Sequence, residues 1–174
     1  MTTWLASSAL NFMRAESRTY QPLETGGILL GWRQGEAAVI AAALGPGPNA
    51  LHGRHLFIPD DRWHTEQVEN AFASSGGDLD YLGDWHSHPS GITAMSAQDH
   101  LTLVRITRRI GVASMIILAG ELAEESPIGS WIGRRARRLF GRVSVEAAEL
   151  KAVEISELGW PDWQSSAAGP KLTP

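Results

Sequence analysis

Two histidines stand one residue apart in the stretch GDWHSHPSGITAMSAQD, which runs from Gly83 to Asp99. The imidazoles of His86 and His88 and the carboxylate of Asp99 are side chains of the kinds that bind zinc in proteins. The chain has no cysteine, so thiolate ligands, disulfide bonds and a cysteine nucleophile are all excluded. A zinc ion in this protein would therefore depend on His, Asp or Glu.

The spacing of the two histidines suits a β-strand. Side chains at positions i and i+2 of a strand point to the same face, and their Cα atoms lie about 6.5 to 7 Å apart. His86 and His88 therefore project together and can reach one ion. Pro89 ends the strand because proline lacks a ladder donor, and the residues after it are enough to return Asp99 as an oxygen ligand. Three protein ligands leave a fourth position open for water, which is typical of a catalytic zinc site.

These residues also have structural explanations. Ser96 and Asp99 fit the start of a helix, with Ser96 as the N-cap and an acidic side chain at the third helical position. A buried histidine on a strand is commonly a hydrogen-bonded core residue. The metal site is favoured because the histidine pair, the strand-ending proline and an acid that follows a serine at a helix start occur together.

A zinc hydrolase also needs a base that takes a proton from water and returns it to the leaving group. Glu24 is the candidate, because it stands directly before the apolar stretch TGGILLGW, where a carboxylate is poorly placed unless it faces a polar cavity. The alternative is that Glu24 is a solvated turn residue just after Pro22.

Several other conspicuous residues receive structural interpretations. Trp32 and Trp85 are expected to pack in the core. The basic run Arg134–Arg142 would place its arginines on both faces of a strand, so it predicts a solvated or partner-facing surface and not a single nucleic-acid site. No spacing relates the other histidines to the metal set, and none of them is expected to bind the ion: His52, His55, His64 and His100.

The elements that position the candidate residues follow from hydrophobic periodicity and helix signals. A first helix is predicted from about Trp4 to the polar residues before Pro22. The chain then predicts an apolar hairpin, a short third strand, an amphipathic helix, a strand ending at His88, a helix beginning at Ser96 and a buried strand. The corresponding sequences are, in order, TGGILLGWR, EAAVIAAALG, HLFIPD, RWHTEQVENAFASS, DYLGDWHSH, AQDHLTLVRITRRI and ASMIILAG.

The C-terminal part of the chain is less regular. The stretch SWIGRRARRLFGRVSVEAAELKAVEI favours two strands, although VEAAELKAVEISEL has a helix-forming composition. The predicted organisation is one domain over residues 1–158 and an irregular tail over residues 159–174. A chain of 174 residues suits one core that buries roughly 70% of the surface an unfolded chain exposes.

The candidate residues resemble the motif of the JAMM (MPN+) zinc metalloprotease family: a glutamate, here Glu24, and then His-Ser-His-Pro, six residues, serine, two residues and aspartate. The resemblance implies a three-layer α-β-α, cytidine-deaminase-like α/β fold with a mixed central sheet. It implies one zinc ion per chain, held by His86, His88 and Asp99. Glu24 would be the general base and acid, and Ser96 would donate a hydrogen bond to the water or the oxyanion.

The same resemblance implies cleavage of a peptide or isopeptide bond after the C-terminal tail of a ubiquitin-like protein, in deconjugation or precursor processing. The extended tail would bind beside an exposed strand by β-augmentation. A compact bacterial member resembles the deconjugating component of ubiquitin-like operons linked to phage defence. Two alternatives stay open: a non-catalytic interaction scaffold of the same fold, and a hydrolase of a small amide or a sulfur-carrier adduct.

Composition and missing motifs argue against other classes. A net charge of −4 argues against a dedicated nucleic-acid binder. No signal-peptide pattern and no run of the roughly 18 apolar residues of a membrane span are present, so a cytoplasmic protein is expected. Zinc deaminases require cysteine ligands, gluzincins require His-Glu-x-x-His, and a (β/α)₈ barrel takes about 250 residues. The oligomeric state is left open.

Overall fold

The computed structural model describes residues 2–35, 37–120, 126–136 and 141–153. The strands are β1 Thr2–Ala6, β2 Gly26–Gln34, β3 Ala37–Ala43, β4 Leu51–His52, β5 Phe57–Ile58, β6 Asp80–His88, β7 Val112–Ala119, β8 Ile128–Arg135, β9 Val143–Ala147 and β10 Glu149–Val153. The helices are α1 Ser7–Tyr20, α2 Asp61–Ser74 and α3 Ala97–Ile110. Within these ranges, no helix combines the length and the apolar character needed to cross a membrane.

Eight of the described strands form one mixed sheet in the order β10-β1-β3-β2-β6-β7-β8-β9, and β4 and β5 form a separate hairpin. β6 lies near the centre of the large sheet, antiparallel to β2 and parallel to β7. β2 and β7 are buried over most of their length, as expected for strands with both faces covered. The strand that carries both motif histidines therefore has buried sheet on either side.

The sheet curls until its two edges meet. β9 lies on one edge and β10 on the other, yet only Ala148 connects Ala147 to Glu149. Seven strand spacings of about 4.8 Å would separate the edges of a flat eight-stranded sheet by about 34 Å. Two Cα–Cα steps of about 3.8 Å instead keep Ala147 and Glu149 within about 7.6 Å of each other. The sheet is therefore strongly curved. The N–H of Ala148 donates to the carbonyl of Ser130 at 2.9 Å, which fixes the crossing point on β8.

Helices cover both faces of this sheet. α1 and α2 pack on one face, in a core that includes Met13 and Trp85. α3 packs on the other face, in a second core that includes Leu103. Successive residues of β7 divide between the two, with Ile116 in the first core and Ile117 in the second. This arrangement confirms the predicted α/β fold with helices on both sides of a mixed sheet.

The elements around the candidate site are confirmed. β2 and β3 form the predicted antiparallel hairpin. β6 ends at His88, directly before Pro89. α3 begins after Ser96, which is its N-cap. These elements have the clearest local signals, because an apolar run, a proline and a capping serine each act over a few residues.

The predicted start of the first helix is wrong. Residues Thr2–Ala6 form β1, which pairs in parallel with both β3 and β10, and α1 begins only at Ser7. Hydrogen bonding to two strands stabilises an extended backbone here, in spite of apolar spacing that is compatible with a helix. β4 was not predicted, because its residues lie in the stretch GPGPNALHGRH, whose glycines and prolines favour a loop.

The prediction of two strands after β7 is also wrong, because the described residues contain three: β8, β9 and β10. The segment Glu149–Val153 has a helix-forming composition, but it lies beside β1 and completes the sheet. Tertiary pairing outweighs local propensity in this segment. The tail from residue 159 lies outside the described residues, so the domain boundary at residue 158 stays a prediction.

We expect Trp85→Phe to destabilise the fold. Trp85 is 1% exposed, and its Nε1–H donates a 2.8 Å hydrogen bond to the carbonyl of Leu44. Phenylalanine leaves that oxygen without its donor, so the free energy of unfolding should fall by about 1–3 kcal/mol in urea titrations. The control Phe72→Leu, at a side chain that is 50% exposed, should change it by no more than about 0.5 kcal/mol. Equal effects of the two substitutions would contradict this role for Trp85.

Candidate metal centre

β6 brings the two motif histidines to one place. Gly26 of β2 lies opposite His86 on one side, and Ile117 of β7 lies opposite it on the other. Because Ile117 belongs to the core beneath α3, both histidines lie on the face of the sheet that α3 covers. His86 and His88 are buried, and their ring centroids are 4.7 Å apart.

The N-terminus of α3 brings Asp99 to the same place. The N–H of Asp99 donates to Ser96 Oγ at 3.1 Å, and the N–H of Ser96 donates to Asp99 Oδ2 at 2.7 Å. The two residues thus form a capping box, as the structural alternative predicts. The same carboxylate also faces His86 and His88. Helix capping and participation in the cluster are therefore compatible, and the cap fixes the position of the carboxylate.

Three side-chain groups converge tightly at this point. The Nε2 atoms of His86 and His88 are 3.0 Å apart, and Asp99 Oδ1 and Oδ2 lie 3.3 Å and 3.4 Å from the Nε2 atoms of His86 and His88 respectively. Tetrahedral ligands at about 2.0 to 2.1 Å from zinc are about 3.3 to 3.4 Å from one another. The arrangement thus fits a metal ion. Among the described residues, it is the one cluster of His and acidic side chains that does so.

The electrostatics of the cluster favour a bound cation. Burial opposes ionisation of Asp99, but hydrogen bonds with His86 and His88 outweigh it and hold the pKa of this carboxyl well below its usual range. The hydrogen bond with Asp99 raises the pKa of His88, against the effect of burial. Nδ1 of His88 is 2.8 Å from the carbonyl of Ile92, so Nδ1–H is the donor and Nε2 is left to bind. A carboxylate and two imidazoles thus attract positive charge, which a metal ion can supply.

Glu24 lies beside this cluster. Gly26 is opposite His86, and the N–H of Ser87 donates to the carbonyl of Thr25 at 2.8 Å. Glu24, two residues before Gly26, is therefore level with His88 of β6. Burial raises the pKa of the Glu24 carboxyl, and the nearby imidazoles of His88 and His86 partly oppose this rise. A half-buried carboxyl that interacts with both histidines is poorly described as a solvated turn residue.

Two residues that sequence analysis did not single out hold β2 against the histidine strand. Ser87 is 1% exposed, and its Oγ accepts the N–H of Thr25 at 3.1 Å. Gly26 has no room for a side chain, because a Cβ there would lie 2.4 Å from the carbonyl oxygen of Trp85 and 2.9 Å from Cβ of His86. The alternation of β6 could have identified Ser87 as pointing away from His86 and His88 and towards the first core.

The remaining conspicuous residues lie outside the cluster. Nε2 of His64 is 2.7 Å from the carbonyl of Gly45, which indicates a structural hydrogen bond. Within the basic run, Arg134 lies 3.6 Å from Glu146 of β9, and Arg135 donates to the carbonyl of Arg108 at 3.0 Å. These two arginines therefore make contacts inside the domain, while residues 137–140 lie outside the described ranges.

The fold and the cluster define an α/β domain with a candidate metal centre of two histidines and one aspartate at the end of a central strand. Residues 6–132 match the family described as prokaryotic homologs of the JAB domain. The match covers most of the chain, and the chain belongs to this family. The resemblance that the glutamate and the His-Ser-His-Pro motif indicate is thereby confirmed.

Comparison with curated proteins identifies relatives. The probable metalloprotease y4qB of Sinorhizobium fredii is 33% identical over 155 residues, which are 84% of this chain and 94% of that protein. A CD-NTase/cGAS isopeptidase of Vibrio cholerae is 29% identical over 117 residues, or 67% of this chain and 70% of that protein. A protein of the same name from Escherichia coli is 36% identical over 70 residues, or 40% of this chain and 45% of that protein.

A solved structure supports the fold. The solution structure of a protein from Desulfitobacterium hafniense superposes with a TM-score of 0.61 and covers 88% of this chain and 94% of its own. The two sequences are 23% identical in the alignment, so the similarity concerns the fold alone.

We expect the purified protein to contain about one metal ion per chain, and His88→Ala to lose it, because two remaining ligands bind zinc far more weakly than three. Asp99→Asn should also lose metal, although an amide oxygen can still accept the N–H of Ser96 and preserve the cap. Elemental analysis after dialysis measures the content. His100→Ala, next to Asp99 but exposed, is the control and should keep the ion. Full metal content in either ligand variant would exclude this site.

Proposed function

We propose that this protein is a zinc-dependent metallopeptidase that cleaves the peptide or isopeptide bond after the C-terminal tail of a ubiquitin-like protein. The observation that carries the proposal is the convergence of His86 Nε2, His88 Nε2 and an Asp99 carboxylate within 3.0 to 3.4 Å, with Glu24 two residues before β2 and level with His88. Membership of the JAB family and a relative named probable metalloprotease support a hydrolase with this centre.

Glu24 is the proposed proton carrier. Its carboxylate takes a proton from the attacking water and later gives it to the nitrogen of the leaving group. Burial raises its pKa, and this helps a carboxyl that must both accept and donate a proton near neutral pH. The neighbouring imidazoles of His88 and His86 partly oppose this rise.

His86, His88 and Asp99 are the proposed zinc ligands. A zinc ion held by them supplies Lewis-acid chemistry, since it lowers the pKa of water and polarises a carbonyl group. Ser96 Oγ accepts the N–H of Asp99, which leaves the proton of its own hydroxyl for donation. We assign this proton to the substrate carbonyl oxygen, where a hydrogen bond to developing negative charge is worth about 2.7 to 4 kcal/mol.

The names of two relatives support an isopeptide substrate. The relatives in Vibrio cholerae and Escherichia coli are called CD-NTase/cGAS isopeptidases. We therefore propose that the natural substrate is a ubiquitin-like protein joined to a target protein, and that the gene works with a bacterial ubiquitin-like modification system of the kind linked to phage defence.

The surface around the metal centre suits a protein substrate better than a small amide. Of the seven large apolar side chains that are exposed among the described residues, five lie in the segments 51–58 and 92–101. The first segment contains the β4–β5 hairpin, and the carbonyl of its residue Gly53 accepts the N–H of Glu24. The second segment leads into the start of α3 and contains Asp99. The five side chains are Leu51, Leu56, Ile58, Ile92 and Leu101. Apolar groups clustered around a site commonly mark a protein-binding surface.

The activity itself is testable with the ubiquitin-like protein encoded by a neighbouring gene, fused through its C-terminus to a reporter. Zinc-loaded protein should release the free tail, and removal of zinc by a chelator should stop the reaction. A protein that binds the fusion and never cleaves it would instead support the non-catalytic scaffold. Cleavage of a small amide alone would support the small-substrate hydrolase.

We expect Glu24→Gln to lower kcat by about 10²–10⁴-fold, because glutamine has the shape of glutamate but cannot carry the proton. Its zinc content should stay at that of the wild type, since Glu24 is not among the proposed ligands. Steady-state kinetics and elemental analysis measure the two quantities on one preparation. The control Glu66→Gln removes an exposed acid that pairs with Arg62 at 3.2 Å and should leave kcat unchanged. Wild-type turnover by Glu24→Gln would remove Glu24 from the mechanism.

We expect the double substitution Leu56→Ser with Ile92→Ser to raise KM for the protein fusion about tenfold or more, because two exposed apolar contacts are lost. Hydrolysis of a short tail peptide should change less, since a short peptide can cover less of this surface than a folded protein can. Phe72→Ser, at a similarly exposed side chain on α2, is the control. An equal loss on both substrates would argue against a docking surface.

A further inference from the structure

The backbone N–H and carbonyl of Glu24 bind to two neighbouring residues, one to each. The N–H of Glu24 donates to the carbonyl of Gly53 at 2.8 Å. Nδ1 of His52 lies 3.0 Å from the carbonyl oxygen of Glu24. Glu24 belongs to neither α1 nor β2, so it receives no support from a continuous helix or strand. The β4–β5 hairpin supplies it instead.

The contact determines which nitrogen of His52 carries a proton. A carbonyl oxygen only accepts hydrogen bonds, so Nδ1 of His52 must be the donor. The neutral ring is therefore the Nδ1–H tautomer.

Aromatic neighbours fix the plane of this imidazole. The ring of Tyr20, at the end of α1, stacks on His52 with centroids 3.8 Å apart and an interplanar angle of 15°. The ring of Phe57 lies on β5 with its centroid 5.5 Å from that of His52. Since the ring is held between α1 and β5, its Nδ1–H has a defined direction and reaches the Glu24 carbonyl without a search over rotamers.

The residue after Glu24 is anchored from the other direction. Thr25 bonds through its N–H and its carbonyl to Ser87, which lies between the two histidine ligands on β6. Glu24 therefore sits between a contact with the metal-ligand strand and a contact with the hairpin. Among the residues that the structure describes, His52 is the side chain that bonds to Glu24 itself.

We propose that His52 is a positioning residue that orients the Glu24 peptide, and through it the Glu24 carboxyl, towards the metal ligands. This inference rests on the proposed function, in which Glu24 carries the proton. His52 binds neither metal nor substrate. Its effect on rate arises because a displacement of about 1 Å in a catalytic group can cost about 10²-fold.

Two substitutions separate the hydrogen bond from the stacking. His52→Phe keeps a ring between Tyr20 and Phe57 but has no donor. His52→Asn loses the ring but places an N–H close to the position of Nδ1. We expect His52→Phe to lower kcat about 10- to 100-fold on a fluorogenic amide of a tail peptide, with KM within about threefold and metal content unchanged. His52→Asn should recover most of kcat, and His100→Phe should match the wild type.

Several results would overturn the proposal. They are wild-type kcat in His52→Phe, equal loss in both His52 variants, and loss of the metal from His52→Phe. His52→Ala replaces His52→Phe if the phenylalanine variant does not fold, with the same expected loss. In a Glu24→Gln background, His52→Phe should cause no further decrease, since its effect passes through Glu24. An additional decrease there would indicate a general structural role.

The tautomer of His52 gives a readout that does not depend on activity. Long-range ¹H–¹⁵N NMR spectra of the intact protein at neutral pH should show the proton of the neutral ring on Nδ1, and an Nε2–H tautomer would overturn the inference. If Glu24→Gln is fully active, the proposed function fails even when the tautomer is as expected. If Glu24→Gln is inactive and His52→Phe is not, the positioning role alone fails.

Discussion

The structure depends on bringing three electron-rich groups within 3.0 to 3.4 Å of one another in a buried place. Two imidazole nitrogens and a carboxylate at these distances need positive charge between them, or a shared proton, to offset their desolvation. The fold meets this constraint with elements that are difficult to move. β6 is paired on both sides, and the capping box of α3 fixes the carboxylate. These elements therefore determine where the three groups meet.

Glu24 is held differently from the candidate ligands. His86 and His88 lie on a strand and Asp99 lies on a helix, whereas Glu24 lies between elements and depends on contacts made by its own backbone. In the proposed mechanism, Glu24 must face both water and a leaving group, so its direction matters as much as its distance. The small β4–β5 hairpin therefore has a larger part in the site than its length suggests. The same hairpin carries exposed apolar side chains.

Sequence patterns predicted the elements that carry the candidate site residues, because those elements have clear local signals. Alternation along DYLGDWHSH and the proline after it predict β6, and Ser96 with Asp99 predicts the start of α3. The patterns do not reveal what arises from contacts distant in sequence. β1 is a strand because it pairs with both β3 and β10, β10 is one because it pairs with β1, and His52 contacts Glu24 only in the folded chain. The expectation that His52 does not bind metal was compatible with this contact, but it did not predict it.

The pairing of β1 with β10 has a consequence for the order of folding. Thr2 is opposite Glu149, so this pair closes a loop that contains nearly the whole chain. The entropy cost of loop closure increases with loop length, and such contacts tend to form late. During synthesis, the first strand leaves the ribosome long before its outer partner exists. Until translation reaches β10, one hydrogen-bonding edge of β1 stays open to solvent and to other nascent chains.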